Sequence, residues 1–292
     1  PMALWPKSAP RAERLLAVSS AHQLYISEFG SPSGVPIVYL HGGPGGATPR
    51  DASRLFDPDV FRIILFDQRG CGRSTCADRL YENTTSTLVE DVEAVREALS
   101  IERWAVMGSS YGSLLTALYA ARHPTRVLFA LAHGVFLGSH EEVHWLYEGG
   151  AARFYPQQWA DFERALSGAL SHLELSACRL PHVSACYAAV VHARADRSHP
   201  PNVCSVHAPP EEQAAVRHAD AIARAVLRWE DEMETLEPFP SAPEAAEVIS
   251  GAQIALHYFA NGCFLPDEGA RPELTSAREQ LASIPCAILQ GR

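Results

Sequence analysis

Two serines stand side by side in Gly108-Ser109-Ser110-Tyr111-Gly112. A serine hydroxyl is a weak nucleophile at its own pKa; acyl transfer requires a base to take its proton and preorganised donors to meet the oxyanion. The spacing is G-x-S-x-G, in which the chain turns sharply from a strand into a helix and lifts the central serine clear of the sheet. Glycine is needed on both sides because a Cβ would clash there. This register selects Ser110 over Ser109. A second glycine cluster, His41-Gly42-Gly43-Pro44-Gly45-Gly46, follows a strand-like run and leaves bare backbone that a substrate can approach. The N–H groups of Gly43 and Tyr111 are the expected oxyanion donors, and loss of one such donor costs about 100- to 1000-fold in rate. No Gly-Lys-Ser/Thr follows the cluster, which argues against a phosphate loop.

Two other sets of residues compete for a chemical role. Asp67 and Arg69, at the end of an apolar run in "FDQRGCG", are expected to form an ion pair and turn scaffold, with Gly70 and Gly72 allowing the bend. Cys178, His182, Cys186, Cys204 and His207 suggest metal ligation, but their spacings fit no standard zinc module. They are read as part of an exposed insertion, and neither metal nor cofactor is expected.

The elements that must position Ser110 follow from periodicity. Residues 14–29 alternate around a polar break and predict an N-terminal hairpin. "VPIVYL" and "FRIILF" are short apolar runs ending in glycine loops, "RWAVMGS" and "RVLFALAHG" are two more, and "PCAILQ" is the last. Leu88, Val92, Val95 and Leu99 have helical spacing behind Thr and Ser start signals, and "YGSLLTALYAARHP" predicts a helix stopped by Pro124. Strands alternating with helices predict a parallel sheet covered on both faces. Residues 138–270 depart from this alternation and predict a helical cap over the sheet, which resumes at 271–292 with a helix over "RPELTSAREQLASI". The expected fold class is α/β, with core 1–137 and 271–292.

Of 292 residues, 47% are hydrophobic and 20% charged, enough to bury a large core, and the net charge is −10. That charge, with no run of Lys and Arg, excludes a phosphate-backbone partner, and no apolar stretch of about 18 residues spans a membrane. Seven scattered cysteines argue against a disulfide framework and fit a reducing, cytoplasmic setting. The expected partner is a small molecule or peptide.

"HGGPGG" at 41–46, "DQRGCGRS" at 67–74, "ENTT" at 82–85 and "GSSYGS" at 108–113, followed in order by "HPTRV", "GVFL", "WLYEGGA", "RWE" and "HYFANGCFL", resemble the proline iminopeptidase (prolyl aminopeptidase) family of α/β-hydrolases. The resemblance spans residues 10–292 except about 170–222. It implies an α/β-hydrolase fold and cleavage of N-terminal proline from peptides or prolyl amides with a free N-terminus, by a Ser-His-Asp triad without metal. Ser110 matches the nucleophile; Gly43 and Tyr111 match the oxyanion hole, although the family usually has Trp at 111 and Gly at 109. Phe136, Tyr147 and Phe259 match the apolar residues that hold the pyrrolidine ring. Glu230 matches one glutamate that binds the substrate amine. A second is expected in "QIALHYF", where Ala255 stands instead. Glu232 and Glu234 are read as a solvated acidic helix face.

In this fold the acid and the histidine follow the serine. The family's acid comes after a strand ending "HGR-Tyr-Asp", and "AILQGR" at 287–292 reaches that point. The triad Asp and His are therefore expected beyond Arg292, with the chain, which starts at Pro1, read as part of a longer enzyme. A substitute pairing of His257 with Asp161, Asp220 or Asp231 inside the insertion is disfavoured.

Overall fold

The computed structural model describes residues 4–49, 51–170, 179–192, 210–234 and 245–290. They fall into two units, one reaching Ser139 and resuming at Gly262, the other His140–Asn261.

The first unit is built on a sheet of eight strands among the described residues: β1 (Ala12–Ala17), β2 (His22–Gly30), β3 (Val35–Leu40), β4 (Phe61–Phe66), β5 (Thr75–Cys76), β6 (Trp104–Ser109), β7 (Val127–His133) and β8 (Cys286–Leu289). The order is β1-β2-β4-β3-β6-β7-β8, with β5 on β2. The β1–β2, β2–β4 and β2–β5 pairs are antiparallel, and all pairs from β4 to β8 are parallel. Strands β3, β4 and β6 are continuous apolar runs because both their faces are covered; Val38, Leu40, Ile64, Ala105 and Val106 have no exposed surface. Ile37 stands between Ile63 and Ala105 in register, and these three pack with Phe29, Tyr39 and Leu65 in one cluster. Chain progression reverses at β3, which lies between β4 and β6. The loops leaving the carboxyl ends of β3 and β6 therefore emerge side by side, which is where ligands bind in open α/β sheets.

Helix α1 (Thr85–Ala98) starts at a capping box: Thr84 Oγ1 accepts from Thr87 N, and Thr87 Oγ1 accepts from Thr84 N at 3.0 Å. Such a cap contributes about 1 kcal/mol. Its buried face is the predicted Leu88, Val92 and Val95. Helix α2 (Tyr111–Arg122) buries residues almost all round, including Leu114, Leu115 and Leu118, because it packs against both the sheet and α1.

The second unit comprises helices α3 (His140–Tyr147), α4 (Pro156–Leu170), α5 (Pro181–Tyr187), α6 (Pro210–Glu234) and α7 (Ala245–Ala260), with Tyr147, Val183, Ile222, Val226, Trp229 and Tyr258 in its core. Residues 262–270, expected with the helical insertion, belong instead with the sheet unit. Ala270 N–H donates to Leu137 O at 2.8 Å, and the Thr85 hydroxyl donates to Cys263 O. The single helix expected over 271–284 is two, α8 (Arg271–Ser276) and α9 (Arg278–Leu281), broken at Ala277. Thr275 and Ser276 donate back to the carbonyls of Arg271 and Pro272 at 2.7 and 3.1 Å, a competition that bends helices. Among the described residues no helix is long and apolar enough to cross a membrane.

Candidate active site

Ser110 sits between the end of β6 and the start of α2 with φ 54° and ψ −121°, a backbone conformation costing a non-glycine residue on the order of 1–3 kcal/mol. The neighbours over-determine it. Ser110 N–H donates to His133 O at 2.9 Å, and Ser110 O accepts from Ser113 N at 2.8 Å and from Ser113 Oγ at 2.6 Å. The flanking glycines are compulsory. A Cβ on Gly108 would lie 1.9 Å from Gly112 O, and one on Gly112 would lie 2.1 Å from Leu40 O. Tyr111 opens α2, so its N–H points along the positive end of the helix dipole, where an oxyanion is stabilised. Its ring is fully buried and its hydroxyl shares a 2.6 Å hydrogen bond with Thr85. This side chain anchors α2 to α1. Phe136 lies beside this ring, centroids 6.2 Å apart, and its N–H donates to Ser113 Oγ.

The glycine loop closes on the elbow. A Cβ on Gly42 would lie 3.0 Å from Ser109 O and 3.1 Å from Ser110 Cβ, so the loop packs closely on the elbow there and a larger residue would have to push it back by a few tenths of an ångström. Gly43 is exposed, with φ 128°. His41 shapes this loop from beneath: Nε2 accepts from Gln68 N at 3.0 Å, which leaves the proton on Nδ1, and Nδ1 donates to Gly42 O at 2.9 Å. Gln68 Nε2 returns a bond to His41 O at 2.8 Å. Burial lowers the His41 pKa below its ordinary 6.5, with the Gly42 carbonyl and Asp67 opposing. The unfolded chain thus takes a proton near pH 6.5 that the folded protein refuses, and this group's stabilising contribution, present above that pH, is lost as the pH falls. Denaturant titrations from pH 7.5 to 5 are expected to show wild-type stability declining below about 6.5, with a shallower decline in His41→Asn; identical slopes would refute the assignment.

Asp67 and Arg69 do not pair with each other. Asp67 accepts from Thr48 N and Arg73 N, both at 2.9 Å, and from Arg73 Nε at 3.2 Å, which ties the glycine loop to the turn after β4. Arg69 makes a bidentate pair with Asp91 of α1 at 2.6 and 2.7 Å. The scaffolding role holds, with different partners.

Among the described residues of this unit, the histidine rings are engaged away from Ser110. Nε2 of His22 donates to Tyr81 O, His123 stacks on Tyr119, and His133 Nδ1 bonds Ser109 Oγ at 2.9 Å. This last contact gives Ser109 its own role, and a serine and histidine 24 residues apart carry no sequence signal for it.

The second unit gathers the other residues singled out in the sequence. The Tyr147 hydroxyl donates to Glu230 Oε1, and Phe259 packs on the Tyr147 ring at 5.3 Å. Ala255 is buried. Glu232 pairs with Arg228 at 2.8 Å, Asp161 with Arg164 at 2.7 Å, and His257 stacks on Tyr187. Of the metal candidates, His182 Nδ1 donates to Glu148 Oε2 at 2.6 Å and Cys186 is a buried thiol whose pKa burial raises; Cys178, Cys204 and His207 lie outside the described residues. No cluster that could hold a metal ion occurs among the described residues.

Residues 35–182 match the family described as alpha/beta hydrolase fold. The proline iminopeptidase of Neisseria gonorrhoeae is 36% identical over 281 residues, covering 95% of this chain and 79% of that protein. That of Arabidopsis thaliana is 36% identical over 293 residues, covering 99% and 69%. A solved structure from Klebsiella pneumoniae carrying an epoxide-hydrolase description superposes with TM-score 0.52 over 96% of this chain and 80% of its own at 14% identity, a likeness of fold alone. With a strand-turn-helix serine elbow beside a glycine loop, and relatives similar along nearly the whole length, this chain belongs to the proline iminopeptidase family of α/β-hydrolases.

Proposed function

We propose that this enzyme releases an N-terminal proline from peptides or prolyl amides through an acyl-enzyme. The observation that carries the reading is the elbow: Ser110 is held in a strained backbone at the head of α2, directly against bare backbone of the glycine loop. Its Oγ attacks the carbonyl following the proline nitrogen, and the oxyanion is met by Gly43 N–H and Tyr111 N–H. The leaving amine departs with a proton, and water then releases proline. The base and its orienting acid are the histidine and aspartate that the family resemblance implies for such a serine. Glu230 binds the substrate α-ammonium, because a cation leaving water needs an opposing charge, and Phe136, Tyr147 and Phe259 hold the pyrrolidine ring. The substrate is a cytoplasmic peptide with a free N-terminus.

Prolyl, alanyl and N-acetylprolyl amides test this in the native gene product. The free prolyl amide is expected to be hydrolysed and the acetylated one rejected, and Glu230→Gln is expected to raise KM for the prolyl amide about 10- to 100-fold. Equal rates on free and blocked substrates would overturn the role of Glu230. Ala255 favours a second reading, a broader aminopeptidase or an esterase, since one carboxylate fewer reads the amine less strictly. Alanyl turnover within about tenfold of prolyl would select the broader aminopeptidase.

A further inference from the structure

Three consecutive residues, the last two of α3 and the one that follows it, are each tied to a different partner. Leu146 O accepts from the Trp229 indole N–H at 3.0 Å, the Tyr147 hydroxyl donates to Glu230, and the Glu148 carboxylate accepts from His182. Trp229 and Glu230 are neighbours on α6, so the first two bonds fasten α3 to the helix that carries the amine-binding carboxylate. The third fastens it to α5. Glu148, only 6% exposed at its side chain, takes the His182 N–H at 3.0 Å and His182 Nδ1–H at 2.6 Å, so it caps the start of α5 and holds the imidazole together. The other side of the ring is packed. His182 lies 5.1 Å from Trp159 and stacks on Phe162 at 6.5 Å, Phe162 stacks on Trp229 at 5.8 Å, and Glu163 Oε1 stands 3.7 Å from His182 Nε2.

We propose that His182 is a positioning residue for the Glu230 carboxylate, acting through Glu148 and Tyr147. Tyr147 reaches Glu230 only while both flanking residues are held, Leu146 by Trp229 and Glu148 by His182. A buried carboxylate that loses its ring donor must find another partner or take a proton. Either moves Glu148, and the backbone of Tyr147 with it. A displacement of about 1 Å is enough to degrade a bound geometry. His182 touches neither substrate nor reacting atoms, and its effect falls on amine recognition alone.

The inference rests on Glu230 reading the substrate amine, and the test separates the two. In the native gene product, His182→Phe keeps a ring for Trp159 and Phe162 and removes the donor, whereas His182→Asn keeps a donor at the Nδ1 position. His182→Phe is expected to raise KM for a prolyl amide about tenfold with kcat within about twofold, to leave hydrolysis of an ester lacking the amine unchanged, and to be largely rescued in His182→Asn. If His182→Phe does not fold, Glu148→Gln serves with the same expected KM rise. Unchanged KM in a folded variant, or equal losses on the prolyl amide and the ester, would overturn the positioning role while leaving Glu230 in place. A wild type that does not distinguish free from blocked amines would overturn the Glu230 reading and this inference with it.

Discussion

Ser110→Ala in the native gene product is expected to lower kcat for a prolyl amide by about a million-fold with KM little changed. The size of the effect comes from interdependence: without the hydroxyl, the base has no proton to take and the acid that orients it has nothing to act through, so removing the nucleophile costs about as much as removing the whole constellation. What survives is the stabilisation supplied by the oxyanion hole and binding, about 10³- to 10⁴-fold over water. Ser109→Ala is the control. Its hydroxyl bonds His133 Nδ1 at 2.9 Å and lies in the strand before the turn, so its loss is expected to change kcat less than about tenfold. A serine-directed fluorophosphonate followed by peptide mass spectrometry is expected to label Ser110. Activity retained in Ser110→Ala and lost in Ser109→Ala would mean that the register of the elbow had been misread.

Arg69→Ala is expected to destabilise the fold by about 3–5 kcal/mol. Side chains of Arg69 and Asp91 are 5% and 2% exposed, and their paired N–H···O bonds are 2.6 and 2.7 Å long. Arg69 Nη1 also donates to Glu82 O at 2.6 Å, and Asn83 Nδ2 donates to Arg69 O at 3.1 Å, so one side chain joins the turn after β4 to the approach to α1. Deleting it leaves a buried carboxylate without its cation. Burial raises the Asp91 carboxyl pKa while Arg69 pulls it down, so in the variant the acid rises further and the fold regains stability when it protonates. Denaturant unfolding is thus expected to show the deficit of Arg69→Ala shrinking as the pH is lowered from 7 toward 5. The double variant Arg69→Met/Asp91→Leu is expected to lose less than the sum of the single changes, since apolar replacement of both partners removes the uncompensated charge. A loss below about 1 kcal/mol would show the pair to be a surface-like contact.

Much of this protein was legible without coordinates. The apolar runs of β4 and β6 and the Leu88, Val92 and Val95 stripe of α1 were visible because burial on two faces, or on one stripe, leaves a period in the chain itself. The choice of Ser110 was equally local: Gly108 and Gly112 are dictated by atoms within a few residues of the turn and by the strand beside it. Charged groups were less readable. Asp67 and Arg69, two residues apart, looked like partners, but both stand in the turn that follows β4, and each found its counter-charge elsewhere, in Arg73 and in Asp91. The Glu148–His182 pair and the contact of Tyr147 with Glu230 join residues 34 and 83 positions apart, and no short pattern encodes either. The return of residues 262–270 to the sheet unit rests on contacts such as the backbone bond from Ala270 to Leu137 and the Thr85 hydroxyl bond to Cys263 O, which composition does not betray. By itself the sequence determined the parallel strands, α1 and the strand-turn-helix elbow at Ser110, because those depend on steric rules and periodicities acting over a few residues. The tertiary structure alone decided which charges pair, which ring packs inward and which carboxylate holds which helix, because those depend on groups brought together only when the chain has folded.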